Sequence, residues 1–560
     1  MMGAALARLS SAGRRIRTLN SWTWTASVTS LLLVGPLLVV VFGLSAPAND
    51  LWPHLVDTVL AGYIVNTVGI ALGVALGTAI LGVSTAWLIA MCDFPGRAFF
   101  SWALVLPLAL PGYIAAFVYG DLLEFAGPIQ TALRDYFDWG KDDYWFPSVR
   151  SPLGATVVLS LVLYPYAYLL VQTAFATQSA TLIETGRLLG RGPVRIFRTL
   201  AVPLARPALV AGCALAVMET LNDIGVMELF GIGTFTTGIY RAWFGFGDIG
   251  AAARLATVLL LVVLAVLWAE RRLRKSLRYH PENDRSRPVI RYVLRGRRAA
   301  MAMLGCGLPV LLGFVLPAAF LAWWHLRAGA PIDPAFPAIM LNTLGLALAA
   351  TALTVAIAWL VVFGLRLDPA IVRPFARTAG AGYAVPGVVV AVGVLGLCSL
   401  FDHAVDDVSR MIFGAGTGLL LSGTVTVLLF AYAVRFLAVS MNALESSYHR
   451  IPGTLDAAAR TLGVFPRGML VRVHVPLLRG GIATAAALVF VEVMKELPAT
   501  LILRPFDFNT LAVRAFEMAQ EERMADAALP AIAIVAVGLV PLIVLSRRFL
   551  QPSVAAETSS

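Results

Sequence analysis

Long apolar runs separated by short polar stretches cover most of the chain. A bilayer-spanning helix needs about 20 mostly apolar residues. Runs near 25–45, 62–91, 98–120, 153–176, 207–229, 252–269, 300–324, 338–365, 375–400, 417–441, 480–503 and 526–547 meet that length. The pattern predicts an all-α, polytopic membrane protein with about 12 transmembrane helices. Composition agrees: 59% of the 560 residues are hydrophobic and 13% charged, against about half and a quarter in a soluble domain.

The positions of the charges give a direction. Arginine and lysine collect on the cytoplasmic side. Arg8, Arg14, Arg15 and Arg17 precede the first apolar run, which reads as an uncleaved span with a cytoplasmic N-terminus rather than a signal peptide. The loops around Arg187–Arg206, 270–299, Arg366–Arg377 and Arg450–Arg479, and the Arg547-Arg548 pair, then also fall inside. The loop 121–152 falls outside and carries Asp121, Glu124, Asp135, Asp138, Asp142 and Asp143. The formal net charge of +11 therefore reports topology and contact with anionic membrane lipid, and no nucleic-acid partner is expected. Cys92, Cys213, Cys306 and Cys398 lie in or beside apolar runs without metal-ligand spacing and read as packing residues. The six histidines are scattered and form no metal-ligand pair.

The chain also repeats itself. "NTVGIALGVALGTA" from Asn66 resembles "NTLGLALAATALTV" from Asn342, "LPGY" at Leu110 matches "VPGV" at Val385, and "ETGRLLG" at Glu184 matches "AAARTLG" at Ala457. Glu219 falls opposite Glu492. An even number of spans per copy makes two parallel six-helix repeats related by an axis along the membrane normal. The expected domains are 1–269 and 300–560, joined by a basic cytoplasmic linker, 270–299.

Two inside loops hold a shared pattern. Each has a short helix-forming run, a glycine suited to end it at positive φ, a second amphipathic run, and a proline before the next span. In the first copy Glu184, Gly190, Leu200, Val202 and Pro203 follow the spacing, with Gly186 and Arg187 inside it. In the second, Gly463, Val473, Val475 and Pro476 do, with Arg460 inside it; Ala457 stands where the glutamate is expected and Asp456 precedes it. Read from physics alone, these are cytoplasmic knobs or basic interfacial loops that bind lipid. The spacing resembles the EAA signature of ABC-importer permeases. "METLNDIGVMELFGIGTFTTGIYRAWFG" from Met218 and "VMKELPATLILRPFDFNTLAVRAFEMAQEERMADAALPA" from Val493 are similar to the two halves of fused ferric-iron permeases of the bacterial inner membrane. The resemblance implies a type I importer permease fold and a transport subunit, not an enzyme. It implies two copies of a separate ATPase holding these loops, and a periplasmic binding protein that delivers ferric ion. No cofactor is expected in this chain; ATP-Mg belongs to the partner, since none of Lys141, Lys275 and Lys495 sits in a phosphate loop.

The remaining chemistry is inside the apolar runs. Glu492 lies about 18 Å along a roughly 30 Å core at about 1.5 Å per residue, and Glu219 is at similar depth. Inserting each mid-helix charge costs on the order of 3 kcal/mol. Glu492, Lys495 and Glu496 are spaced to share one helical face, as are Glu219, Asn222 and Asp223. In one reading these line the translocation path or its gate. In the other they are buried pairs, Lys495 neutralising Glu496 or Glu492. Oxygen ligands suit a hard ferric ion, but a path must release its cargo, so transient contacts at Glu219 and Glu492 are expected and no stable metal site. Tyr164, Tyr166 and Tyr168 read as packing, Asn66 and Asn342 as structural. The same machinery with thiamine, a polyamine or an organophosphonate as cargo is the alternative, and an ion-coupled secondary transporter the more distant one. Carboxylates on both central helices argue against a sulfate- or molybdate-like anion.

Overall fold

The structure is a computed structural model that describes residues 21–43, 51–176, 180–275, 291–329 and 333–554. The N-terminal arginines and linker residues 276–290 lie outside the described residues. The first repeat contains α1 (Ser21–Phe42), α2 (Leu60–Met91), α3 (Gly112–Leu123), α4 (Pro152–Ala176), α5 (Ala180–Leu188), α6 (Pro193–Asn222) and α7 (Ile249–Lys275). The second follows the same order: α8 (Arg297–Ala328), α9 (Phe336–Leu367), α10 (Gly387–Phe413), α11 (Val425–Tyr448), α12 (Gly453–Thr461), α13 (Pro466–Met494), α14 (Leu511–Gln520) and α15 (Met524–Val554). Among the described residues 11 helices are long and apolar enough to span a membrane, 12 with one bent pair. α2 shows why they face lipid: Val65, Val68, Leu72 and Leu76 form an exposed apolar stripe, while Thr67, Ile70, Ala71 and Val74 are buried.

Small residues set the helix spacing. A Cβ on Gly73 would lie 2.6 Å from Thr156 Cγ2, and one on Gly77 2.2 Å from Ser160 Oγ. This four-residue spacing of glycines lets α2 and α4 approach closely.

Three departures from the apolar pattern have local causes. The run 98–120 is not one straight span: Arg97–Ala109 and the helix from Gly112 meet at 89° across Pro111, because proline lacks a donor and pushes the residue before it out of helical φ, ψ. The run 375–400 likewise divides at Pro386 into Pro369–Ala384 and α10. Third, the second amphipathic run of each inside loop is continuous with its span. α6 and α13 pass through Pro203 and Pro476 by way of π-turns at Phe197–Ala201 and Leu470–His474, and α8 does the same at Leu311–Val315 before Pro317. A wide turn two residues ahead absorbs the missing N–H without ending the helix.

The first helix of each repeat packs on the other repeat as well as on the last span of its own. α1 lies against α9, α10 and α7. Trp22 meets Phe363 edge-on at 5.5 Å, Thr257 Oγ1 donates to Val40 O at 2.8 Å, and a Cβ on Gly393 would lie 2.3 Å from Pro36 O. α8 lies against α2, α3 and α15, with Phe117 and Trp324 at 5.2 Å and the Tyr119 hydroxyl donating to Leu312 O.

Candidate translocation site and coupling loops

α6 and α13 both end inside the molecule, at Asn222 and Met494. Lys495 is the C-terminal cap of α13, so Asp223 and Glu496 stand beyond their helices rather than on one continuous polar face. Each acid turns to the short helix that follows. Asp223 Oδ1 accepts from Val226 N at 2.7 Å; Glu496 Oε1 and Oε2 accept from Ala499 N at 3.0 Å and Thr500 N at 3.1 Å. A carboxylate there satisfies N–H groups that lack intrahelical partners. Glu496 also pairs with Arg435 of α11 at 2.8 Å, the side chains 1% and 6% exposed.

The repeated Pro-Gly corners meet these same acids. A Cβ on Gly112 would lie 2.7 Å from Asp223 Oδ2, and one on Gly387 2.1 Å from Arg435 Nη1 and 2.8 Å from Glu496 Oε1. Only glycine lets the corner backbone come this close.

Glu219, Asn222, Asp223, Glu492, Lys495 and Glu496 line a cavity of about 70 Å³ between the repeats, with Arg435, Tyr113, Tyr166 and the Pro111-Gly112 corner. It has room for a few waters. Bonds across the interface fix its first-repeat side: Tyr383 OH donates to Glu219 Oε1 at 3.1 Å, and Gly387 N donates to Asn222 Oδ1 at 2.6 Å. On the second-repeat side Lys495 Nζ donates to Glu492 Oε1 at 3.0 Å. Of the three tyrosines of α4, Tyr166 lines the cavity, whereas Tyr164 and Tyr168 are fully buried, Tyr168 OH donating to Ser101 O at 2.8 Å. Among the described residues no group of three or more His, Cys, Asp or Glu side chains converges to hold a metal ion. A second cavity of about 220 Å³ between the repeats is lined by Asp121, Arg150, Glu228 and Glu522 among others.

Asn66 and the threonine beside it tie the spans to the segments beyond the helix breaks. Asn66 Nδ2 donates to Gly233 O at 2.9 Å. Thr67 Oγ1 accepts from Phe235 N at 3.3 Å, and its counterpart Thr343 Oγ1 from Leu511 N at 2.9 Å. The repeated Asn-Thr pair therefore serves through its threonine in both repeats.

In the loops, Gly190 and Gly463 both have positive φ, +72° and +71°. Gly186 lets α5 lie on α6: a Cβ there would be 3.1 Å from Leu200 Cδ1. Glu184 is half-buried on α5; Ala457 and Arg460 are exposed on α12, and Pro203 and Pro476 are exposed on their spans. The two loops are held differently. Arg187 stacks on Tyr292 at 4.0 Å and its Nε donates to the Tyr292 hydroxyl at 3.1 Å. Tyr292-Val293, from the linker's end, pairs in parallel with Cys92-Asp93. In the second loop, buried Asp456 takes Arg366 Nε at 2.7 Å on one oxygen and meets His474 Nε2 at 2.9 Å on the other. Burial alone would raise the Asp456 pKa, but the hydrogen bonds from His474 and Arg366 outweigh it and hold the carboxyl below its ordinary value.

Sequence reasoning missed Arg435 and Tyr383. Arg435 carried the same signal as Glu492, a lone charge in an apolar run. Tyr383 carried none.

No family model matches the chain. The Fe(3+)-transport system permease protein FbpB 2 of Haemophilus influenzae is 25% identical over 495 residues, 87% of this chain and 90% of that protein. The molybdenum transport system permease protein ModB of Escherichia coli is 28% identical over 149 residues, 27% of this chain and 62% of that protein. The probable sulfate transport system permease protein of Chlorokybus atmophyticus is 26% identical over 214 residues, 37% of this chain and 70% of its own. The chain is a multi-pass inner-membrane protein and a transport subunit rather than an enzyme. Over most of its length it is similar to a transport-system permease of an ABC importer, in a fused form that carries both repeats in one chain.

Proposed function

We propose that this permease moves ferric iron from a periplasmic binding protein to the cytoplasm, driven by two copies of a separate ATPase that hold α5 and α12 and bind ATP-Mg. The N-terminus and both loops face the cytoplasm, and no cofactor resides in this chain. The observation that carries the reading is the extent of similarity to a ferric permease: it runs through both repeats, 87% of the chain, while the molybdenum and sulfate permeases match 27% and 37%. The cavity supports it, since Glu219 and Glu492 offer hard oxygen donors. The loops support the partner assignment. Leu188 and Leu189 beside Gly190, and Leu462 and Phe465 beside Gly463, are 87%, 70%, 82% and 81% exposed, apolar knobs suited to a partner's groove.

The test is reconstitution with a separate ABC ATPase and a ferric-binding protein from the same organism. ATP-dependent uptake of labelled ferric iron is expected, unaffected by excess sulfate, molybdate or aminoethylphosphonate. Uptake of one of those in place of iron would reassign the cargo.

A further inference from the structure

The two repeats differ at one cavity position. Asn222 and Lys495 occupy equivalent places, each three residues after the paired glutamates Glu219 and Glu492. Asn222 uses its side-chain oxygen to accept the Gly387 N–H across the interface at 2.6 Å. A lysine ammonium has donors only and cannot make the equivalent bond; Lys495 pairs with Glu492 at 3.0 Å instead. The other charges around the cavity are already engaged. Arg435 pairs with Glu496, which also takes two backbone N–H groups, and Asp223 takes the Val226 N–H. Glu219 has the Tyr383 hydroxyl at 3.1 Å. Of the four carboxylates that line the cavity, Glu219 and Glu492 are thus left with one ammonium, which Glu492 holds.

We propose that Lys495 is a tethered counter-ion: it occupies the Glu219–Glu492 pair when no cargo is present, yields to a multivalent cation, and returns to expel it. The inference rests on the reading of this cavity as a cation path. A trivalent ion outcompetes one ammonium for two carboxylates, yet the ammonium cannot diffuse away, so the site regains its neutraliser as soon as the repeats move apart. Binding that is weak enough to reverse is what conduction requires. Two glutamates without the lysine would trap the ion.

The experiment uses the full-length chain in lipid nanodiscs with terbium(III) as a non-redox trivalent probe, read by tyrosine-sensitised luminescence; Tyr166 and Tyr383 stand at the site. Lys495→Met is expected to bind terbium at least about tenfold more tightly than the wild type. Lys495→Arg should behave as wild type, and Lys495→Met combined with Glu219→Gln and Glu492→Gln should lose the gain. Lys495→Gln carries the same prediction if the methionine variant does not assemble. No gain in either neutral variant, or a gain that persists without the two glutamates, overturns the proposal. A lysine with a purely structural role would lower thermal stability and leave terbium affinity unchanged. Ferric uptake by the wild-type assembly is measured separately. Uptake without a terbium gain sinks the counter-ion alone, while a terbium gain without ferric uptake sinks the cargo and leaves the counter-ion standing.

Discussion

Replacing Arg435 by methionine would leave Glu496 buried with its backbone donors and no counter-charge. Removing one member of a buried pair costs about 3 kcal/mol or more, so Arg435→Met should lower the thermal unfolding temperature of the purified protein markedly. Adding Glu496→Gln should recover part of the loss, because no bare charge then remains; an unchanged melting temperature in the single variant would count against the pair. This partnership was only half legible in the sequence. A lone arginine in "AYAVRFLAV" announces a buried partner, but the partner lies 61 residues away on another helix. The spacing of Glu492, Lys495 and Glu496 predicts one face of a continuous helix. α13 stops at Met494, so the first two side chains meet and the third turns aside. Periodicity carries residue positions only as far as the helix persists.

At the scale of elements, the coupling loops follow from local backbone chemistry, and here the sequence was most informative. A glycine after a short helical run predicts a positive-φ stop, and Gly190 and Gly463 both adopt it. A valine at either place costs roughly 1–2 kcal/mol in left-handed backbone and should distort the knob. Gly190→Val is expected to leave ATP hydrolysis by the assembly running while ferric uptake falls; coupled, normal uptake would remove the loop from the mechanism. Asp456, one residue before the position where the glutamate is expected, bonds Arg366 and His474, neither of which has a like residue at the matching place in the first repeat, where Ala90 and Ala201 stand. Its folded pKa is lowered, so its contribution is complete above the unfolded value of about 3.9 and is lost as pH falls through the lower folded value. Thermal stability should therefore show no loss from this group between neutral pH and about pH 5. Asp456→Asn should lower stability across that whole range. What the pattern could not give was the bend at Pro111: hydropathy measures apolar length and is blind to direction.

The whole molecule is held together by exchange. α1 packs on the second repeat and α8 on the first, so sequence repeats and packed units are not the same. Internal similarity of the chain predicts two bundles but says nothing of which bundle a first span joins, since any apolar helix satisfies lipid and only shape, as at Gly393 against Pro36, selects the partner. A consequence is that the linker need not be covalent. Two chains divided within residues 276–290 and expressed together should co-purify through one affinity tag and retain uptake. Halves that separate on purification would show that the exchanged helices do not hold the repeats together.

In the proposed function, two pseudo-equivalent carboxylates at the interface of the repeats handle a cationic cargo. The direct measurement is ATP-driven ferric uptake into vesicles carrying permease, ATPase and binding protein, comparing the wild type with Glu219→Gln, Glu492→Gln and the pair together. Reduced uptake is expected in each single variant and loss in the double, with the assembly intact and ATP still hydrolysed. Wild-type uptake by an intact double variant would contradict it and leave the two glutamates as partners of Tyr383 and Lys495 alone.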